Sequence, residues 1–341
     1  MRRSLVVVWL ALLAALPFTT LVLPGLLPGP VNSPGSLQLL ALCLVFAGFA
    51  VTYDLLFGHT GLLSFGHALY VAAGSYTVNI AVTRLHLGWP VALACAAAVG
   101  LVLPLALGAV ALRVRGIAFA MVTLAFAQVG SILVLSARIT GGEEGLSLVD
   151  IPAPFAGVAN TANLYWLALA YLVVVVGVVH WSIRSEPGRV WRALGDNELR
   201  VTVLGLSPYR FRLLSYVLSA FLATAGGVVH LLLLGGSTPQ ITTSAFSVGL
   251  LVMTVLGGAG SRWGALLGGI LYTYLDQHLA GLAGSTAVAG LPAALRLPLS
   301  QPQFLLGALF VLVVFFLPGG LAGLGRHLPG FAGLSRRWRR A

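Results

Sequence analysis

Long apolar runs, separated by short polar or glycine-rich stretches, set the pattern of this chain. Most of these runs approach the roughly 20 apolar residues that a helix needs to cross a bilayer. The pattern therefore predicts an all-α fold, a polytopic transmembrane helix bundle with about ten spans. The predicted spans are Leu5–Leu23, Leu37–Phe57, Gly58–Thr77, Trp89–Leu112, a fifth that opens at Arg113, Leu164–Ile183, Leu213–Leu234, Phe246–Gly258, Ala265–Leu279 and Gln303–Leu317.

The third predicted span, Gly58–Thr77, contains too many glycines and small residues for an ordinary lipid-facing helix. Small residues let helix backbones approach closely, and glycines permit a break where a helix lines a cavity. Packing alone accounts for many of the glycines. Polar groups at membrane depth are costly, however, and usually face a partner or a water-filled path. Five polar residues are therefore candidates for the translocation pathway: Asp54, Ser64, His67, Thr123 and Gln128.

One polar segment, Arg184–Arg212, interrupts the apolar pattern and concentrates arginines and acids. Asp196, Asn197 and Glu198 precede helix-compatible residues that stop at Gly205, which predicts a short capped helix. We expect Gly205 either to adopt a left-handed conformation or to allow close approach of another surface. The alternative is a solvated charged loop without a partner.

The distribution of arginines predicts the orientation of the spans. With an inside N-terminus, ten alternating spans leave Arg84, Arg138 and Arg296 outside and every other arginine inside, as the positive-inside rule requires. Both termini and the Arg184–Arg212 loop are then cytoplasmic. The acids near Thr140–Ser147 fall in an external loop, and they lack the alternating oxygen-ligand spacing of a calcium loop.

Composition supports a membrane protein. The 341 residues are 59% hydrophobic and 8% charged, with a mean hydropathy of +1.00, which is too apolar for a water-soluble core. The net charge of +11 marks cytoplasmic flanks, because no basic domain with interleaved aromatics is present to bind nucleic acid. Cys43 and Cys95 lie in apolar runs and indicate neither a disulfide framework nor a metal site.

The sequence also excludes several kinds of chemistry. It contains no lysine, so a P-loop, whose lysine reaches the nucleotide phosphates, is absent. No zinc-protease motif, no serine-hydrolase elbow and no Cys/His cluster is present. We therefore expect a protein that is not an enzyme and has no cofactor, with any ATP hydrolysed by another polypeptide. A secondary transporter is the rival class, but only Asp54 and Asp276 lie near membrane depth as coupling carboxylates.

Four motifs carry a family resemblance. They are Gly61–His67 (GLLSFGH), Arg115–Gln128 (RGIAFAMVTLAFAQ), Thr140–Gly145 (TGGEEG) and Leu256–Ser261 (LGGAGS). In this order they resemble the permease subunits of bacterial branched-chain amino acid ABC importers, the LivM-like branch. The resemblance covers residues 37–318 of a single transmembrane domain, 1–341.

The resemblance implies a multi-pass protein of the bacterial inner membrane. Its implied partners are a second homologous permease, two ATP-binding-cassette ATPases and an extracytoplasmic binding protein that delivers substrate. The segment 184–212 becomes the cytoplasmic coupling loop that docks on an ATPase. The residues implied in coupling are Asp196, Glu198, Arg200 and Gly205.

The chain departs from the family pattern at two places. The expected Glu-Ala-Ala run followed by glycine here reads ELRVTVLG from Glu198, and Asp54 stands where an asparagine is expected. Relatives carry branched-chain amino acids, while close relatives handle urea or short amides. We therefore expect uptake of branched-chain or related small hydrophobic amino acids, with urea or short amides as the alternative substrates of a permease of the same family.

Overall fold

The computed structural model describes residues 11–20, 22, 29–157, 160–261, 263–283, 301–317 and 319–323. The regular secondary structure of these residues is helical, apart from short 3-10 turns, one two-stranded ladder and an isolated bridge between Val22 and Pro30. We number the helices α1 Pro34–Thr60, α2 His67–Thr83, α3 Trp89–Ala111, α4 Ile117–Ser136, α5 Thr161–Arg184, α6 Glu186–Asp196, α7 Glu198–Val203, α8 Pro208–Leu234, α9 Ser244–Gly257, α10 Gly264–Ala283 and α11 Pro302–Phe316.

The helical architecture agrees with the predicted all-α polytopic fold. Six helices of the described part are long and apolar enough to cross a membrane: α1, α3, α4, α5, α8 and the one that begins at Pro302. The helix α9 is apolar but has only 14 residues, about 21 Å at the usual rise. The predicted count of about ten spans stays a prediction. Arg2, Arg3, Arg262, Arg296 and the arginine-rich tail lie outside the described residues.

Several helix boundaries differ from the sequence prediction, and three of them have a clear local cause. Within Leu5–Leu23, helical geometry ends at Phe18 and Thr19 is extended, so the helix stops before Leu23. The third span does not begin at Gly58, because α1 continues to Thr60 and α2 starts only at His67. The fifth begins at Ile117 instead of Arg113. In the last two cases a glycine with positive φ, Gly61 or Gly116, separates the helices.

The helix α1 forms the centre of the bundle and packs against α5, α8 and α10. Its most apolar window is 78% buried, compared with 28% for α3 and 33% for α4. Small residues make this packing possible. A Cβ on Gly269 of α10 would lie 2.6 Å from Cα of Ala47, which is closer than real contacts allow. Glycine therefore lets α10 pack directly on the α1 backbone.

The bundle has two ends that are distinguished by their contacts. At one end, which we call the hairpin end, β1 (Leu146–Ser147) pairs antiparallel with β2 (Gly236–Ser237). The Trp89 indole also donates to the carbonyl of Asp150 there. At the other end, the arginine end, Glu198 pairs with Arg115 and Arg212. The segment between α5 and α8 therefore lies opposite the long loop between α4 and α5.

Candidate functional site

The break between α1 and α2 is held by one hydrogen bond to α4 and one within the break itself. Gly61 closes α1 in the left-handed conformation, with φ 69°. The amide of Phe65 then donates to Oγ1 of Thr123 at 3.1 Å, and the amide of Gly66 donates to Oγ of Ser64 at 3.3 Å. Ser64 and Thr123 are fully buried. Two of the predicted pathway residues thus satisfy backbone groups that no helix pairs.

His67 lies at the start of α2 in a fully buried environment. Its Nε2 is 3.0 Å from Oγ1 of Thr52, whose hydroxyl donates to the carbonyl of Phe49. The ring meets Tyr53 edge to face at 5.4 Å between centroids. Nδ1 of His67 and the Tyr53 hydroxyl have no hydrogen-bond partner among the described residues. His67 therefore belongs to a buried polar cluster with α1, close to Ser64 in sequence and in the fold.

Asp54 is not part of that cluster. Its Oδ1 accepts from the amide of Gly260 at 2.7 Å, and its Oδ2 lies 3.4 Å from Nδ1 of His59. On a helix, residues two apart point about 200° from each other, so Asp54 faces away from Thr52 and His67. Asp54 therefore has a structural role, because it binds the turn between α9 and α10 to the end of α1.

Gln128 occupies an exposed position on α4. Its Nε2 donates to Oγ of Ser244, at the start of α9, at 3.3 Å. Ile117 and Gln128 lie about 20° apart around the helix axis, so both belong to one face. An amide on an open face of an apolar helix indicates contact with protein or a polar path instead of hydrocarbon. Thr123, by contrast, points into the bundle.

The charged segment forms two helices where the sequence predicted one. Asp196 precedes the short helix as the last residue of α6, and Asn197 caps α7 by accepting from the amides of Leu199 and Arg200 at 2.9 and 3.4 Å. Gly205 follows α7 with φ 76°, and no atom lies within 4 Å of the position of its absent Cβ. The left-handed conformation expected of Gly205 is confirmed, and the alternative, close approach of another surface, stays a prediction.

Sequence reasoning missed the helix α6. The signal for it was present, because Ser185 occupies the N-cap position and Pro187 the first turn, where proline is favoured. The indole of Trp191 is 1% exposed and donates to the carbonyl of Phe211 at 2.8 Å. Gly188 packs against the last turn of α5. The helix α6 is therefore a rigid part of the arginine end and carries α7.

The helix α7 is anchored on one side and open on the other. Its Glu198 carboxylate pairs with Arg115 at 3.4 Å and with Arg212 at 3.1 Å, and its side chain is 22% exposed. Leu199, Val203 and Leu204 are 74 to 79% exposed. We call these three residues the apolar face of α7. Asp196 and Arg200 are also exposed. The four predicted coupling residues thus divide into one anchor, Glu198, two exposed charged groups and a terminating glycine.

Potential metal ligands are scattered in the part of the chain that the structure describes. No group of three or more His, Cys, Asp or Glu side chains comes together there in a way that could hold a metal ion. Asp54 instead accepts from the backbone amide of Gly260, and its other oxygen lies near His59.

Comparison with known proteins identifies the family. Residues 35–314 match the family model described as the permease component of the branched-chain amino acid transport system. The chain belongs to this permease family. It is a multi-pass inner-membrane transport protein and not an enzyme, and ABC importer permeases of this kind function with ATPase and binding-protein partners.

Three individual relatives show how similar the chain is to other permeases. It is 28% identical to the high-affinity branched-chain amino acid permease LivM of Escherichia coli over 323 residues, 86% of this chain and 71% of the relative. It is 25% identical to BraD of Pseudomonas aeruginosa over 82% of this chain and 91% of the relative. A shorter match, 32% over 55% of the chain and 52% of the relative, is to the autoinducer 2 permease LsrC of Klebsiella pneumoniae.

Proposed function

We propose that this permease forms half of an ATP-driven import pathway for branched-chain amino acids. The observation that carries the proposal is α7, a short helix with an open apolar face that ion pairs hold against the turn before α4 and against α8. A subunit without nucleotide chemistry can be driven only by mechanical contact with its ATPases. The apolar face of α7 suits that contact, because its exposed side chains can be buried against an ATPase. The ion pairs of Glu198 would then transmit the movement of α7 to the rest of the permease.

The arginine end faces the cytoplasm in this proposal, and so do both termini. Arg113, Arg115, Arg210 and Arg212 all lie at this end, in line with the positive-inside rule. The hairpin end then faces the binding protein. The exposed face of α4 that includes Gln128 meets the second homologous permease or lines the path between the two subunits, with Ser64, His67 and Thr123 supporting it from inside.

The substrate assignment follows the relatives, whose names specify branched-chain amino acids in LivM and BraD. Two ATPase subunits and an extracytoplasmic binding protein complete the assembly, and ATP is used only by the ATPases. Small neutral amides remain the competing substrate class within the same family.

Reconstituted transporter with its binding protein tests the proposal. We expect labelled leucine to accumulate in proteoliposomes only with ATP, at a fixed number of molecules per ATP. Glu198→Gln removes the α7 anchor and should lower that ratio, while Glu186→Gln, which breaks an exposed pair with Arg189, should leave it unchanged. Leucine uptake that persists without ATP, or no uptake of leucine under any condition, contradicts the proposal.

A further inference from the structure

A small cavity opens at the arginine end between α4, α8 and the break after α1. Its volume is about 210 Å³, which is below the roughly 300 Å³ at which pockets for drug-sized ligands begin. The wall combines two guanidinium groups, Arg115 and Arg212, with apolar side chains. The apolar lining residues are Leu62, Leu63, Leu112, Val114, Ile117 and Phe119.

The two arginines already hold one carboxylate between them. Each oxygen of Glu198 lies near a different guanidinium, Oε1 near Arg115 and Oε2 near Arg212. A guanidinium offers five N–H donors, so each arginine keeps donors for a second anion. Nε of Arg212 is buried and has no hydrogen-bond partner among the described residues. The cavity thus has unused donors beside an apolar wall.

The cavity also lies on the exposed face of α4 that includes Gln128, and here we take this face to line the path between the two subunits. Ile117, in the first turn of α4, is 78% exposed and lines the cavity. Gln128 lies about three turns further along the same face. A substrate that follows this face towards the arginine end therefore meets the cavity last, beside the coupling helix.

We propose that this cavity is an exit-side subsite for a small molecule with a carboxylate and a branched apolar group, the carboxylate facing Arg115 and Arg212. The inference rests on the proposed function and deepens it, because a neutral amide or urea would gain little from two guanidinium groups. Glu198 competes for the same positive charge. Movement of α7 away from α4 therefore increases the electrostatic attraction between the two guanidinium groups and the substrate carboxylate.

A matched pair of probes tests the subsite. 4-Methylpentanoate and 4-methylpentanamide have the same apolar group and differ only in carboxylate against amide. Binding to the transporter in nanodiscs, without the binding protein, is followed by saturation-transfer NMR. We expect the carboxylate to bind at least about tenfold more tightly than the amide, the difference expected for a hydrogen bond to a charged group.

Variants separate the cavity from other sites. Arg115→Gln should weaken 4-methylpentanoate binding about tenfold, and Arg115→Lys should weaken it less, because lysine keeps the positive charge. The Arg115 side chain is 76% exposed, so we expect both variants to fold. Glu198→Gln should tighten binding. The control Arg138→Gln removes an exposed arginine near the hairpin end and should change nothing.

Equal binding of the two probes, or unchanged binding in Arg115→Gln and Glu198→Gln, overturns the subsite. The proposed function is tested separately by ATP-driven leucine import. A transporter that imports leucine but shows no preference for the carboxylate probe retains the function and loses the subsite. A transporter that imports no leucine fails the function, whatever the probes show.

Discussion

Gly205, Thr123 and Glu198 each hold a backbone turn or a helix in position. Gly205 ends α7 with φ 76°, and the space around its missing Cβ is empty. Backbone conformation, not room, therefore determines which residues fit there. Thr123 and Glu198 matter for a different reason, since each satisfies groups on a neighbouring element across the chain.

Gly205→Val should disturb the end of α7, because a left-handed conformation costs an L-residue roughly 1–2 kcal/mol and a β-branched residue adopts it poorly. We expect less transport per ATP with normal membrane insertion. Gly205→Asn is the matched control, since asparagine tolerates this conformation. Measurement of leucine transport and ATP hydrolysis in the same proteoliposomes checks the prediction. Equal ratios for valine and asparagine would show that this conformation is dispensable.

Thr123→Val removes the acceptor for the amide of Phe65 while keeping the shape of the side chain. A buried donor left without a partner costs about 1–3 kcal/mol. We expect a lower melting temperature and slower uptake, whereas Thr123→Ser, which keeps the hydroxyl, should remain close to the parent. Thermal unfolding in detergent measures the first effect. A stable, fully active valine variant would exclude a role for this bond in holding the break.

The sequence predicts helix boundaries well where the length of an apolar run sets them. It predicts them poorly where a glycine or a helix cap sets them. The runs near Trp89–Leu112 and Leu164–Ile183 end within a few residues of α3 and α5. The start of α2 was misplaced, because Gly58 lies inside α1 and the left-handed Gly61 makes the actual break. The helix α6 was missed although Ser185 and Pro187 mark its start, and only the fold shows that Trp191 buries it against the bundle.

In the candidate site, too, the sequence selects some residues but does not reveal their long-range contacts. Polarity at membrane depth selects Ser64, His67 and Thr123, which the structure places around the break between α1 and α2, and their part in the pathway stays a prediction. It could not separate them from Asp54, because the partner of that carboxylate, the amide of Gly260, is 206 residues away in sequence. Likewise, the charge of Glu198 could not reveal whether it contacts a partner protein or, as found, anchors its own helix.

The apolar face of α7 gives an element-scale prediction. Leu199→Asp combined with Val203→Asp should weaken binding of the ATPase subunit, because charges replace apolar groups at the proposed contact. Both side chains are more than 70% exposed, so the permease itself should remain folded. Val149→Asp, at an equally exposed apolar position near the hairpin end, is the control. Co-purification of the ATPase measures the effect, and full retention in the double variant would contradict it.

The whole molecule is organised as a bundle around α1 with different surfaces at its two ends. Its orientation can be tested by single-cysteine labelling after Cys43 and Cys95 are replaced. Arg200→Cys should react with an impermeant reagent only after the cells are permeabilised, and Asp150→Cys should react in intact cells. Both positions are exposed. Labelling of Arg200→Cys from outside would invert the proposed topology and place the arginine end in the periplasm.

Photo-crosslinking from the apolar face of α7 tests the central claim most directly. A photoreactive amino acid at Leu204, which is 76% exposed, should crosslink to the ATPase subunit in the assembled transporter, and the yield should change when ATP is bound. The same group at Val149, 79% exposed near the hairpin end, should give no ATPase product. If neither Leu199, Val203 nor Leu204 crosslinks to the ATPase with or without ATP, α7 is not the coupling helix.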